Sequence, residues 1–445
     1  MKNIELILLI IILISCKPKA EQDLIWPIHH INKTFKIANS LSPGDVNKDG
    51  FTDFAVIDES LHLFTIVLHP GDVEKIKSPW PTTVVLSATN PEYSYLGDID
   101  GDGNLDLIGV EGDDNQKGFE TGVRVMWGPE PDLANDPDAW VDGGYFPGTE
   151  DRQYLYIETH DINLDGHLDI VVGGRKHPVN GNYAGLFWLE APPDNKRDLA
   201  LWIRHYIDST LLSGHGFVYT DFDQDGDADF VIGNADWDTK DEEEAIYWYE
   251  NPGLGKDIYD QWQQHLIHKN PEYYAKPQMA IGDLNNDGLV DLVTQTKRAV
   301  YYFQKTSNDP VTFEVVEIIK PEITQWLTRG NKLVDLNGDG KMDIVGMLIH
   351  DDGNLPEGKA SVFWMEYEGD KPGSDNWKTH VIKWSHGVNS GDRWIGEKWD
   401  HCRFYDLDQD GDLDIVANAE EFYKKLPDGK HDSYLSVVWF ENPVK

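Results

Sequence analysis

Seven short stretches of this chain carry side-chain oxygens at a spacing suited to holding a metal ion. An Asp-rich nonapeptide recurs with Asp or Asn at its positions 1, 3, 5 and 9 and Gly at position 6. The copies are Asp45, Asn47, Asp49 and Asp53; Asp98, Asp100, Asp102 and Asp106; Asp161, Asn163, Asp165 and Asp169; Asp221, Asp223, Asp225 and Asp229; Asp283, Asn285, Asp287 and Asp291; Asp335, Asn337, Asp339 and Asp343; and Asp406, Asp408, Asp410 and Asp414. Alternate residues of a tightly curled loop point their oxygens inward, and a hard dication such as calcium takes about six to eight of them. Gly at position 6 permits the sharp turn, while a carbonyl at 7 and the carboxylate at 9 can close the shell. The expectation is up to seven structural calcium ions. An EF-hand would need Glu at position 12 and helical flanks. Here each loop runs into a short apolar stretch, such as Ile170-Val171-Val172 or Ile415-Val416, which reads as a strand.

A second repeat lies between the loops. One half is an aromatic strand ending on an acidic residue or an Asn-Pro turn: Phe187 to Glu190, Tyr247 to Pro252, Phe363 to Glu366, Trp439 to Pro443. The other half is Trp-x-x-His-x-Ile, at Trp202 to Ile207, Trp262 to Ile267 and Trp377 to Ile382. Four short strands in roughly 60 residues make one blade of a β-propeller. The ends complement each other. Trp26 to Ile31 has no aromatic strand before it, and Trp439 to Pro443 has no Trp/His strand after it. Joined, they complete a seventh blade and leave no open edge. The fold expected is all-β: a seven-bladed β-propeller over residues 25–445, closed by strands from both ends.

These residues resemble the FG-GAP/VCBS repeat family of calcium-loop β-propellers. The aromatic-Glu-Asn-Pro and Trp-x-x-His pattern is also similar to the propeller part of aldos-2-ulose dehydratases. Seven-bladed propellers occur too among polysaccharide lyases that use Tyr, His and Arg in the funnel. These resemblances imply a sugar-directed eliminating enzyme.

The start of the chain reads as an export signal. Lys2 precedes an unbroken apolar run, Leu6 to Ile14, too short to span a bilayer. It ends in Leu13-Ile14-Ser15-Cys16, which resembles a bacterial lipobox. The expectations are a signal peptide over 1–15, lipidation at Cys16, a tether over 16–24, and anchoring in the cell envelope. The outer membrane is favoured, facing periplasm or cell surface. Cys402 reads as a buried small hydrophobe. The chain holds 38 Lys and Arg against 79 Asp and Glu, a net charge of −41, which excludes nucleic-acid partners. With 40% hydrophobic residues and 16 Trp it does not read as disordered.

Repetition sorts the remaining chemistry. His29, His205, His265 and His380 share one blade position and are expected to serve the blade. Function is expected among residues that do not repeat, where the innermost strands begin, opposite the Asp loops. Those segments hold Glu92, Tyr93, Arg152, Tyr154, His215, Lys276, Gln278, Arg329, Asp400 and His401. The loops after the second strands add Arg175, Lys176, His177, Asn234, Asp236, Trp237, His350 and Glu420. Cations gathered in so acidic a chain point to an anionic glycan. For β-elimination on a uronic acid, Arg175 or Arg329 would neutralise the carboxylate, and His215, His401 or Tyr154 would act as base and acid. The alternative is a non-catalytic surface lipoprotein that binds glycan or protein through the same face, stacking sugars on Trp237, Trp394 and Trp399.

Overall fold

A computed structural model describes residues 25–112, 121–150, 152–175, 183, 185–234, 245–269, 279–295, 299–319, 321–323, 332–347, 354–355, 358–385, 388–389, 396–422, 424–425, 431–432 and 435–444. Residues 1–24, with Cys16 and the expected signal and tether, lie outside them, as do Lys176, His177, Asp236, Trp237, Lys276, Gln278, Arg329, His350 and Trp394.

Seven antiparallel four-stranded sheets form a seven-bladed β-propeller. Blade 1 is Ala38–Gly44, Asp53–Asp58, Leu63–Val67 and Thr82–Ser87, from the axis outward. Blades 2 to 6 repeat that order, with innermost strands Pro91–Gly97, Gln153–His160, Phe217–Thr220, Ala280–Gly282 and Lys332–Val334. In blade 7 the innermost Gly396–Tyr405 and Asp414–Phe422 are followed by Val437–Phe440, and the outermost strand is the N-terminal Ile28–Asn32. Ile28 faces Phe440 and His29 faces Trp439 across that closing pair, so the expected closure is met.

The core is distributed. Seven hydrophobic clusters occur among the described residues, one between each pair of neighbouring blades. Blades 2 and 3, for example, interlock through Ile108, Val125, Trp127, Ile170, Phe187 and Trp202. Second strands such as Asp169–Arg175 are packed on both faces, which is why they read as continuous apolar runs rather than alternating ones.

The repeated histidines belong to this framework. His205, His265, His380 and His29 hydrogen-bond Glu190, Glu250, Glu366 and Glu441 at 2.8, 2.6, 2.8 and 2.7 Å. Each also lies on the Trp two residues before its Glu, with ring centroids 4.7, 4.3, 4.1 and 4.5 Å apart. A His on the outermost strand thus clamps the third strand by one hydrogen bond and one ring contact. In blade 7 the same clamp ties the two chain ends together.

Candidate functional site

The Asp loops close one end of the propeller. In all seven, the position-1 carboxylate accepts the Gly N–H at position 6, from 2.8 Å at Gly288 to 3.2 Å at Gly226. That Gly has φ between +85° and +108°, where a side chain would be strained. The position-9 Asp is buried, and its Oδ2 accepts the N–H of position 2 at 2.9–3.1 Å in every loop. In six blades its Oδ1 accepts a second N–H, from just beyond the third strand in five and from Lys305 within it in blade 5. Burial pushes these carboxyls up, to about 7 at Asp53, Asp106, Asp229, Asp343 and Asp414, about 8 at Asp169 and about 6 at Asp291. The ninth residue therefore pins the loop to the blade.

Position 3 divides the loops. In three of the four loops where it is Asn, the amide of Asn47, Asn163 or Asn285 donates to the position-5 carboxylate at 2.9–3.2 Å, while Asn337 donates to Glu366 at 3.3 Å. Where it is Asp, carboxylates crowd: Asp98, Asp100 and Asp106; Asp221, Asp223 and Asp225; and Asp406, Asp408 and Asp410 each bring three oxygens within 4.8 Å of one another. Asp221 Oδ1, Asp408 Oδ1 and both oxygens of Asp412 are buried without a hydrogen-bond partner. A hard dication suits such donors. In blade 2 an arginine already answers part of the charge: Arg197 reaches Asp100 at 2.5 Å and Asp102 at 2.9 Å.

The opposite end is built from irregular strand starts. Antiparallel pairing brings Arg175, the last residue of its strand, beside Gln153, the first of the innermost strand, so the second-strand ends open where the innermost strands begin. Among the described residues, four innermost strands bulge there. The register slips between Asn39 and Ser42, Pro91 and Tyr93, Tyr154 and Tyr156, and Trp399 and His401. A bulge re-aims the side chains around it. In blades 2 and 7 the inserted residues are Glu92 and Asp400, both buried.

These bulges bring three blades together. Glu92 Oε1 of blade 2 lies 3.9 Å from His215 Nε2 of blade 4. The next residue, Tyr93, has its ring 5.2 Å from that of His401 in blade 7. The two histidines singled out from sequence are thus joined through the dipeptide Glu92-Tyr93. Arg175 sits beside them, because Arg175 and Ser213 form an isolated bridge and Gly214 N–H donates to Gly174 O at 2.7 Å. That approach requires glycine: a Cβ on Gly173 would stand 2.2 Å from Gly214 O. Asp400 faces Lys398 at 3.5 Å.

Two expected residues lie elsewhere. Tyr154 precedes its bulge and packs in the cluster between blades 2 and 3, its ring 5.8 Å from Phe187. Trp399 was expected to be exposed for sugar stacking, and this is corrected: it is 0% exposed and packs on Phe440 at 5.6 Å. It too precedes a bulge, on the core side of its strand. Cys402 is buried, its thiol pushed up to about 11 by burial, as expected of a packing residue.

The fold and the loops define a seven-bladed β-propeller with a repeated Asp loop, and the sequence comparison agrees on its repeats. Residues 221–294, 283–346 and 335–417 match the family model described as FG-GAP-like repeat. A comparison with curated proteins finds no match. Among solved structures, an Agrocybe aegerita lectin described as recognising non-reducing terminal N-acetylglucosamine is 18% identical, covering 79% of this chain and 81% of its own, with a TM-score of 0.46. A luciferin-regenerating enzyme is 8% identical, covering 94% of this chain and 96% of its own, with a TM-score of 0.38. Likenesses of this strength carry no inference about activity.

Proposed function

We propose that this protein is a carbohydrate-active carbon–oxygen lyase or dehydratase that acts by β-elimination on uronic-acid-containing poly- or oligosaccharides. The observation that carries the reading is the buried His215–Glu92 contact between blades 4 and 2, beside Arg175 and the Tyr93–His401 pair. Arg175 takes the uronate carboxylate and so acidifies the C5 proton. His215 accepts that proton, and Glu92 stabilises the resulting imidazolium. The C5–H electron pair becomes the C4–C5 double bond as the C4–O bond breaks. His401 protonates the departing oxygen. A sugar leaving group makes the enzyme a polysaccharide lyase, and water lost from C4 makes it a dehydratase. Resemblance to propeller lyases and to the propeller of aldos-2-ulose dehydratases supports the same reaction class.

Calcium is the proposed ion of the Asp loops, as a structural element holding carboxylates together. The proposed setting is the bacterial cell envelope, with a lipid anchor on Cys16 and an anionic glycan as partner. The test is incubation with uronic-acid oligosaccharides while following the absorbance of the unsaturated product. A rise lost in His215→Ala supports elimination. Binding of the same glycans with no rise overturns it in favour of a non-catalytic glycan-binding lipoprotein.

A further inference from the structure

Below the candidate site the innermost strands line a central channel, and equivalent positions form rings around it. Three residues before the first Asp of each loop, blade 6 carries Lys332, blade 7 Arg403, blade 3 Glu158 and blade 2 Tyr95. Lys332 and Arg403 come from neighbouring blades and, like Glu158, each pairs with the second-strand residue two positions after the loop's last Asp, Val345, Val416 and Val171, so all three stand at one level. Two cations therefore share one level of the channel with a single carboxylate.

That carboxylate is already engaged. Glu158 Oε1 accepts the Tyr156 hydroxyl at 2.8 Å, and its Oε2 meets His160 Nε2 at 2.9 Å. Arg403 donates to the carbonyl of Cys402 at 3.0 Å. Among the described residues neither Lys332 nor Arg403 forms an ion pair. Both are only half-buried. Tyr95 stands at the same level in blade 2, and burial raises Tyr93, Tyr95 and Tyr405 while the Arg403 charge pulls each of them back down. In a chain of net charge −41, an uncompensated pair of cations held at half depth is out of character with the surface. Two like charges at close quarters repel, and the group that satisfies both is a compact anion with several acceptor oxygens.

We propose that the channel holds an oxyanion-binding site, with Lys332 and Arg403 as its cationic arms and tyrosine hydroxyls as further donors. The ligand class is a sulfate or carboxylate, either free or carried on a sugar that enters the channel. The assignment stands independently of the elimination reading.

The experiment is thermal denaturation of the full chain in sodium sulfate, sodium glucuronate or a glucose sulfate, each against sodium chloride at matched ionic strength. The expected result is a saturable rise in Tm with at least one oxyanion. Lys332→Met should weaken that response by on the order of tenfold, the loss of one charge-assisted contact. Lys332→Arg should keep it. Because Lys332→Met also removes a repulsion, it should melt no lower than wild type in chloride, so folding does not obscure the test. A rise with inorganic sulfate identifies a free-anion site, and a rise with only the sugar acids identifies a subsite for a substituent. No saturable rise with any of the three, or one that survives Lys332→Met unchanged, overturns the proposal.

Discussion

The two ends of this propeller are made by the same strands and obey opposite rules. At the Asp-loop end every blade does the same thing: one carboxylate caps a glycine turn and another pins the loop. At the other end the blades differ among the described residues. Four strands bulge, two of them insert a buried carboxylate, and histidines from blades 4 and 7 meet blade 2 residues. A residue that recurs in every blade answers a need that every blade has, namely closing a turn or clamping a strand. A residue present once answers a need of the whole ring. The difference teaches where substitutions should cost stability and where they should cost activity.

The bluntest way to break this contrast is to open the ring. Removing residues 436–445 takes away the partner of Ile28–Asn32 and leaves an unpaired edge on blade 7. The truncated chain should aggregate rather than melt cooperatively, as read by sedimentation and calorimetry. A soluble, cooperative truncation would mean that the blades do not depend on closure.

Calcium removal comes next. Binding to the native state alone should add on the order of 3 kcal/mol per occupied site at 100-fold excess over Kd. A chelator should therefore lower Tm sharply, and an unchanged melting curve would sink the calcium assignment. The pH course sharpens it. The position-9 carboxyls titrate near 7 in the fold, above the ordinary carboxylate value, so the metal-free native state holds protons that the unfolded chain has lost. Stability in chelator should fall as pH rises from about 4 to about 7 and then level off. With calcium present, ionisation favours binding and that decline should shrink or reverse.

A third comparison pits the two ends directly. His215→Ala or His401→Ala should reduce turnover by at least ~100-fold with little change in Tm. His265→Ala should do the reverse, costing no more than about 1 kcal/mol for a partly exposed clamp and leaving turnover intact. Both funnel variants retaining full activity would show that rarity around the ring is a poor guide to function.

The smallest effect separates one loop from its neighbours. Arg197→Met frees Asp100 and Asp102 of blade 2 from their arginine. Calcium titration calorimetry should then show one site tightening by roughly tenfold, the electrostatic competition relieved. Identical isotherms would mean that arginine and dication do not compete there.

Much of the fold was legible because its determinants repeat at fixed spacing. The Asp loops, the Trp–Glu–His clamps and the complementary ends predict seven blades, and the sheets follow them. The candidate site was legible only in part. His215, His401 and Arg175 are brought together, but Tyr154 packs on Phe187, whereas Tyr93 meets His401 and Tyr156 reaches Glu158. The reason is parity. Side chains alternate along a strand, and a one-residue bulge flips every residue beyond it. The bulges at Glu92, Leu155 and Asp400 leave no fixed mark in sequence, so which tyrosine or tryptophan lay on which side could not be read from spacing.

The closing clamp sets the order in which this molecule can mature. His29 and Glu441 meet at 2.7 Å but stand 412 positions apart, so a strand synthesised early waits for one synthesised late. Blades 1 to 6 each pair strands near in sequence and can assemble while the chain is still emerging, whereas the final clasp carries the largest loop-closure cost in the structure. Until it forms, Val437–Phe440 has an empty outer side. Assembly should therefore end in one slow, late step, with a nearly finished ring exposed to partner strands, chaperones or proteases. The same joint that gives the mature ring its persistence is its point of greatest risk beforehand.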